Sequence, residues 1–120
     1  MLDTNVLLAA GESALRCDEA RVLEADREWI VSDIVLWEIA KLRRRGRIRI
    51  GVDDPDLQAM LGVVQIVPVT LEIARPSQLL DFEADPADEI IAAMSLVHRG
   101  PLVTRDSRML ESRLVPLAIQ

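Results

Sequence analysis

Cysteine, histidine, lysine and aromatic residues are scarce in this chain. Cys17 is the only thiol among 120 residues, so neither an internal disulfide nor a thiolate zinc site can form. A reducing, cytoplasmic setting is the plain reading. Tyrosine is absent and aromatics make up 2% of the residues, which argues against the broad base-stacking surfaces of single-strand binding folds. Long apolar runs are missing as well. The longest stretch without Asp, Glu, Lys or Arg, Leu57 to Leu71, is interrupted by Gln58, Gly62, Gln65 and Pro68 and is too short to span a bilayer. Met1-Leu2-Asp3 does not read as a signal peptide. Positive charge is in deficit: 14 Lys and Arg stand against 20 Asp and Glu, a formal net charge of -6. That balance argues against gripping nucleic acid with the whole surface, yet leaves room for a local basic patch.

What remains is a chain of single-domain length, expected to fold as one unit over residues 1–120 and to bury roughly two-thirds of its unfolded surface without staples. Leu2 and residues 29–32, 63–67, 101–104 and 114–119 are brief runs rich in Val, Ile and Leu, which read as buried strands. Helical spacing predicts helices over about 13–26, 33–45, 54–61, 70–80, 86–99 and 107–113. Asp85-Pro86-Ala87-Asp88 supplies an N-cap, a first-turn proline and a carboxylate at the third helical position, and Gly100 follows as a stop. Asp54-Pro55 repeats the start signal. Alternating strands and helices predict an α/β fold with right-handed crossovers and about five parallel strands, flanked by helices on both faces. The functional crevice of such a sheet lies beyond the C-terminal strand ends.

Carboxylates fall at that rim. Asp3 directly follows the first strand, and Asp106 comes two residues after the fourth. In the helix that opens at Asp33, Val35, Ile39 and Leu42 form an apolar stripe, and Glu38 projects about 60° from its centre. It therefore points partly inward, where an unpaired carboxylate is costly. Asp88 shares the side of its helix opposite the core stripe with the small residues Ala92 and Ser95, leaving room for a ligand. Each acid also has a plainer role open to it: Asp3 in an Asx-turn, Asp85 and Asp106 as helix caps, Asp88 as the acid of a capping box. Cys17, Trp29, Trp37 and Phe82 are most simply packing residues. Converging carboxylates would need a counter-ion, and oxygen-only ligation suits Mg²⁺ or Mn²⁺. Phosphodiester hydrolysis is the chemistry such a site implies.

Leu2-Asp3-Thr4-Asn5-Val6-Leu7-Leu8, Ser32 through Trp37-Glu38-Ile39, Asp85-Pro86-Ala87-Asp88-Glu89-Ile90-Ile91-Ala92-Ala93 and Leu102-Val103-Thr104-Arg105-Asp106 together resemble the four signature segments of the PIN-domain nucleases, in family order. Spacing and size are most similar to the VapC-type ribonuclease toxins of toxin–antitoxin pairs. The resemblance implies a metal-dependent endoribonuclease whose catalytic and metal-ligating set is Asp3, Glu38, Asp88 and Asp106. Asn5 and Thr104 would assist by hydrogen-bonding carboxylates, water or substrate. It further implies RNA as substrate, a cognate antitoxin, a homodimer, and a five-stranded parallel sheet between helices. The chain departs from the pattern in a first strand reduced to Met1-Leu2, which reads as a late start, and in Glu89, where many relatives carry arginine.

Six of the basic residues crowd into Lys41, Arg43, Arg44, Arg45, Arg47 and Arg49, next to the helix bearing Glu38. Lys41, Arg43, Arg44 and Arg45 are the candidates for tracking RNA phosphates, against the plainer role of cations at a helix C-terminus. Two other classes remain in view. A different Mg-dependent phosphohydrolase, of the haloacid-dehalogenase kind, needs a second Asp where Asn5 stands and a later lysine that is absent, since Lys41 is the only one. A catalytically silent PIN-like binding module would have little use for all four acids.

Overall fold

A computed structural model describes residues 1–25 and 28–119. In chain order the elements are α1 (Thr4–Gly11), α2 (Cys17–Ala25), β1 (Ile30–Ser32), α3 (Ile34–Arg44), α4 (Pro55–Val63), β2 (Gln65–Val67), α5 (Leu71–Ser77), α6 (Pro86–Val97) and α7 (Ser107–Glu111). The punctuation of the sequence works where its chemistry is local. Asp54 caps α4 through its carboxylate, which accepts from the Asp56 and Leu57 amides, with Pro55 in the first turn, as proline's fixed φ favours.

Helix α1 is not among the helices that periodicity predicts. Thr4, Val6, Leu7, Leu8 and Ala9 are all buried, so the helix is apolar nearly all round and carries no stripe to detect. The next helix begins later than expected, at Cys17. Ser13 stands before it at φ 55, a left-handed conformation that a helix interior does not admit. Cys17 itself is exposed rather than packed. Asp26, the last residue expected in this helix, lies outside the described residues.

β1 and β2 run parallel, with Ile30 opposite Gln65, Val31 opposite Ile66 and Ser32 opposite Val67. The other three expected strands contribute less. Leu2 bridges to Val103 and Leu102 to Leu117, each as a single parallel pair, and the Leu2 amide donates to the Ile30 carbonyl at 3.1 Å. Among the described residues the fold is thus α/β with one two-stranded ladder and isolated bridges beside it, not five full strands. Proline and capping explain the shortening. Asp3 leaves the sheet at once to cap α1, and neither Pro101 nor Pro116 has an amide to donate.

Leu2, Val31, Leu102 and Val103 are buried in the sheet and meet Leu7, Val35, Ile39, Ile91 and Met94 from α1, α3 and α6 in one core. The tight fit of these helices against the sheet is what fixes the residues at its edge. No helix among the described residues is long and apolar enough to cross a membrane.

Candidate functional site

Asp3 ends the central segment and caps α1. One carboxylate oxygen accepts from the Thr4 amide at 2.7 Å; the other accepts from the Thr104 hydroxyl at 2.7 Å. Thr104 Oγ1 in turn accepts from the Asp106 amide at 3.0 Å, so one threonine ties the first acid to the last. Asp3 is 2% exposed. Burial pushes its pKa up, opposed by the two hydrogen bonds, while the nearby Asp106 charge adds to the rise.

Asp106 caps α7, accepting from the Arg108 and Met109 amides at 2.9 and 3.2 Å. Its capping role and its place at the rim are therefore compatible, since its second oxygen faces the Arg108 guanidinium at 3.3 Å. The same guanidinium lies 3.7 Å from Asp88. Asp88, at the third position of α6, does not form the capping box that its spacing allows. The next acid, Glu89, instead accepts from the amide of Ala84, the residue before the N-cap, at 3.1 Å. Burial pushes the Asp88 pKa up to about 7, with the charges of Asp3, Glu38 and Asp106 adding in that order and Arg108 opposing.

Glu38 is half-buried on α3, as its helical phase predicts. Its pKa is raised, first by burial and then by the charges of Asp3 and Asp85, with the Thr4 hydroxyl opposing. Thr4 Oγ1 lies beside that carboxyl without a hydrogen bond of good geometry, and is buried with no hydrogen-bond partner. Asp85 occupies the N-cap position of α6, yet its side chain makes no capping bond. It lines the same cleft as Glu38 and Asp88 instead.

That cleft, about 220 Å³, runs between α3 and the start of α6 and is lined by Trp37, Glu38, Lys41, Arg45, Arg47, Asp85 and Asp88 among others. The end of α3 builds its basic wall. Gly46, at φ 71, donates to the Arg43 carbonyl at 3.0 Å while the Arg47 amide donates to Leu42 at 3.0 Å. This paired closure after a left-handed residue is a Schellman turn, and it sets Arg45 and Arg47 on one side. Of the basic residues singled out from the sequence, Lys41 and Arg45 face the cleft. Arg43 does not; it reaches the Ile48 carbonyl at 3.4 Å. Arg44 lines no part of it. Asn5 is exposed and hydrogen-bonds none of the acids. A larger cleft of about 610 Å³ lies around Met1, Trp29, Gly100 and Leu117, at the opposite strand ends and away from the four acids.

Three features escape the sequence reading. Trp37, expected to pack, is 50% exposed. At about 100° per residue it stands about 165° from the stripe of Val35, Ile39 and Leu42, so helical phase alone could have found it. Arg108 bridges two of the acids. Arg105 forms a two-pronged pair with the buried Glu19, at 2.8 and 2.6 Å, and holds the Glu19 carboxyl down to about 2. This pair anchors the loop between Thr104 and Asp106 to α2. No spacing signal links residues so far apart in the chain.

Among the described residues no three His, Cys, Asp or Glu side chains gather closely enough to hold a metal ion between them. Donor chemistry nevertheless fits a hard cation. The site offers only oxygen, and its carboxylates repel one another. Mg²⁺ commonly keeps several waters and uses one or two carboxylates directly, so a closed cage is not required.

The known proteins that this chain resembles bear on its family and its fold. The PIN domain family model matches residues 1–113. Ribonuclease VapC22 of Mycobacterium tuberculosis (strain ATCC 25618 / H37Rv) is 30% identical over 118 residues, covering 94% of this chain and 91% of the relative. Among solved structures, VapBC2 from Rickettsia felis, bound to a DNA fragment from its promoter, superposes with a TM-score of 0.71 at 18% identity, covering 98% of this chain and 95% of that one. A toxin-antitoxin complex from Klebsiella pneumoniae gives a TM-score of 0.64 at 23% identity, covering 89% and 86%. With the family model spanning nearly the whole chain and its acids gathered at one rim of an α/β sheet, the chain belongs to the PIN-domain family, as a distant homologue of the VapC ribonuclease toxins.

Proposed function

We propose that this chain is a Mg²⁺- or Mn²⁺-dependent endoribonuclease and the toxin of a toxin–antitoxin pair. The observation that carries the reading is the Asp88 carboxyl, pushed up to about 7 by burial and by Asp3, Glu38 and Asp106. Carboxylates from four separate segments feel one another in one place, which burdens the fold unless a cation joins them.

Asp3, Glu38, Asp88 and Asp106 would hold that cation, directly or through its waters. Bound there, a divalent ion activates water and neutralises charge on the phosphate. Thr104 keeps the Asp3 carboxylate in one orientation and ties it to Asp106. Lys41, Arg45 and Arg47 supply the cations that a chain of net charge -6 needs to draw phosphates in. The exposed Asn5 amide is free to meet water or substrate. An antitoxin partner is supported by the two solved relatives, described as a toxin-antitoxin complex and as VapBC2. A homodimer in a cytoplasmic setting completes the reading, with Val63, Leu71 and Leu79 as large apolar side chains left exposed.

The test is cleavage of a mixed pool of structured RNAs in Mg²⁺ or Mn²⁺, with chelator and Asp88→Asn as parallel controls. Asparagine keeps the volume and the helix position, so the variant should fold while losing on the order of a hundredfold or more in cleavage rate. A folded Asp88→Asn chain that cuts as fast as the parent removes Asp88 from the catalytic set. Cleavage that survives the chelator overturns the metal-dependent reading.

A further inference from the structure

Trp37 is half-exposed one residue before Glu38, in a chain whose other aromatics, Trp29 and Phe82, pack against the core. A single surface tryptophan needs no explanation by itself. Its company does. The indole lines the cleft together with Glu38, Lys41, Arg45 and Arg47 from α3 and the turn that follows it and Asp88 from α6, and Lys41 Nζ sits 5.4 Å from the ring centroid. A π-face flanked by cations and next to the reacting groups matches a nucleotide, which presents a flat base and a phosphate at adjacent positions. An acidic peptide would use the cations and leave the ring face idle.

We propose that Trp37 is a specificity residue of the cleft: it stacks one base of a single-stranded RNA beside the bond to be cut, with Lys41 shared between the ring and the neighbouring phosphate. This rests on the ribonuclease reading above and adds a residue and a contact to it. Stacking is tolerant of base identity but not of base absence. The cleft therefore selects unpaired RNA, since a base inside a duplex has no free face to offer.

The test uses the full chain carrying Asp88→Asn, which binds without cutting, and adds Trp37→Ala or Trp37→Phe. Affinity for a labelled twelve-nucleotide single-stranded RNA is read by anisotropy, alongside indole fluorescence. The expected result is a loss of affinity on the order of tenfold for Trp37→Ala and a smaller loss for Trp37→Phe. RNA should quench the indole emission of the parent and not that of Trp37→Phe, where only Trp29 remains. An RNA lacking one base at the stacked position should bind the parent as weakly as the intact RNA binds Trp37→Ala, with no further loss when the two changes are combined. Equal affinities for parent and Trp37→Ala, with no quenching, overturn the stacking role while the nuclease reading stands. Quenching by a protein partner but not by RNA overturns it in favour of an antitoxin contact. Failure of the unsubstituted chain to bind or cut any RNA overturns both.

Discussion

At the scale of single residues, the cost of the site is concentrated in Asp88. Its pKa of about 7 in the fold stands against an ordinary value of 3.8. Between those values the folded chain keeps a proton that the unfolded chain has lost. The contribution of Asp88 to the stability of the cation-free protein is therefore fully present below about pH 4 and is lost as pH rises toward 7, whereas Glu19, held down to about 2, loses its own contribution only in acid. Asp3 and Glu38 are raised as well and act in the same direction as Asp88. At about 1.4 kcal/mol per pKa unit, discounted for the solvent that reaches Asp88, the loss from this residue is ~2 kcal/mol. Asparagine cannot ionise, so Asp88→Asn should abolish that part of the slope. Thermal unfolding in chelator at pH 4.5, 6 and 7.5 reads it directly; identical pH profiles for variant and parent would return Asp88 to bulk solvent. The sequence made Glu38 legible because a helix has a phase, and the same phase places Trp37 outward. The Glu19–Arg105 pair was not legible, because nothing local to either residue encodes contact across 86 positions.

At the scale of elements, the end of α3 decides which cations reach the cleft. A cluster of six basic residues looks uniform in sequence, but the left-handed Gly46 turns the chain so that Arg45 and Arg47 face one way while Arg43 folds back on the Ile48 carbonyl. Each phosphate contact to a single strand contributes about 0.7 to the slope of log affinity against log salt. Replacing both Arg45 and Arg47 with glutamine should flatten that slope by about 1.4, and Arg43→Gln should change it much less. Binding titrations of single-stranded RNA across a range of salt check this, and an effect of Arg43→Gln half as large as that of the double variant would mean that the arm acts only as a diffuse charge. Helix starts were legible where asparagine-like turn chemistry and proline coincide, as at Asp54-Pro55. Asp85-Pro86 marks the start of α6 equally well, yet the carboxylate that should cap it turns to the cleft. Helix α1 was illegible for the opposite reason: buried nearly all round, it has no polar face to set a period.

At the scale of the whole molecule, site and scaffold share the same three residues. Met1 accepts from the Val103 amide at 2.9 Å, Leu2 donates to Ile30, and the Asp3 amide donates to Val103 at 3.1 Å. The short central segment therefore joins the sheet on both sides and ends in the most buried acid of the site. Whatever relieves the repulsion at Asp3, Glu38 and Asp88 acts on the centre of the fold, so a cation should stabilise the whole chain rather than one loop. At a concentration about a hundred times its dissociation constant, Mn²⁺ would add ~2.7 kcal/mol, roughly 10 °C in unfolding temperature for a chain of this size. The effect must depend on pH, because Asp88 has to lose its proton before its carboxylate can hold the ion. At pH 5.5, about 1.5 units below its pKa, affinity should drop roughly thirtyfold, and the same Mn²⁺ concentration should raise the unfolding temperature by only about 3 °C. Thermal melts at pH 7.5 and 5.5, with and without Mn²⁺, separate the outcomes. A shift of the same size at both pH values would mean that the ion binds elsewhere, and no shift at pH 7.5 would leave the four acids without a cation to join them.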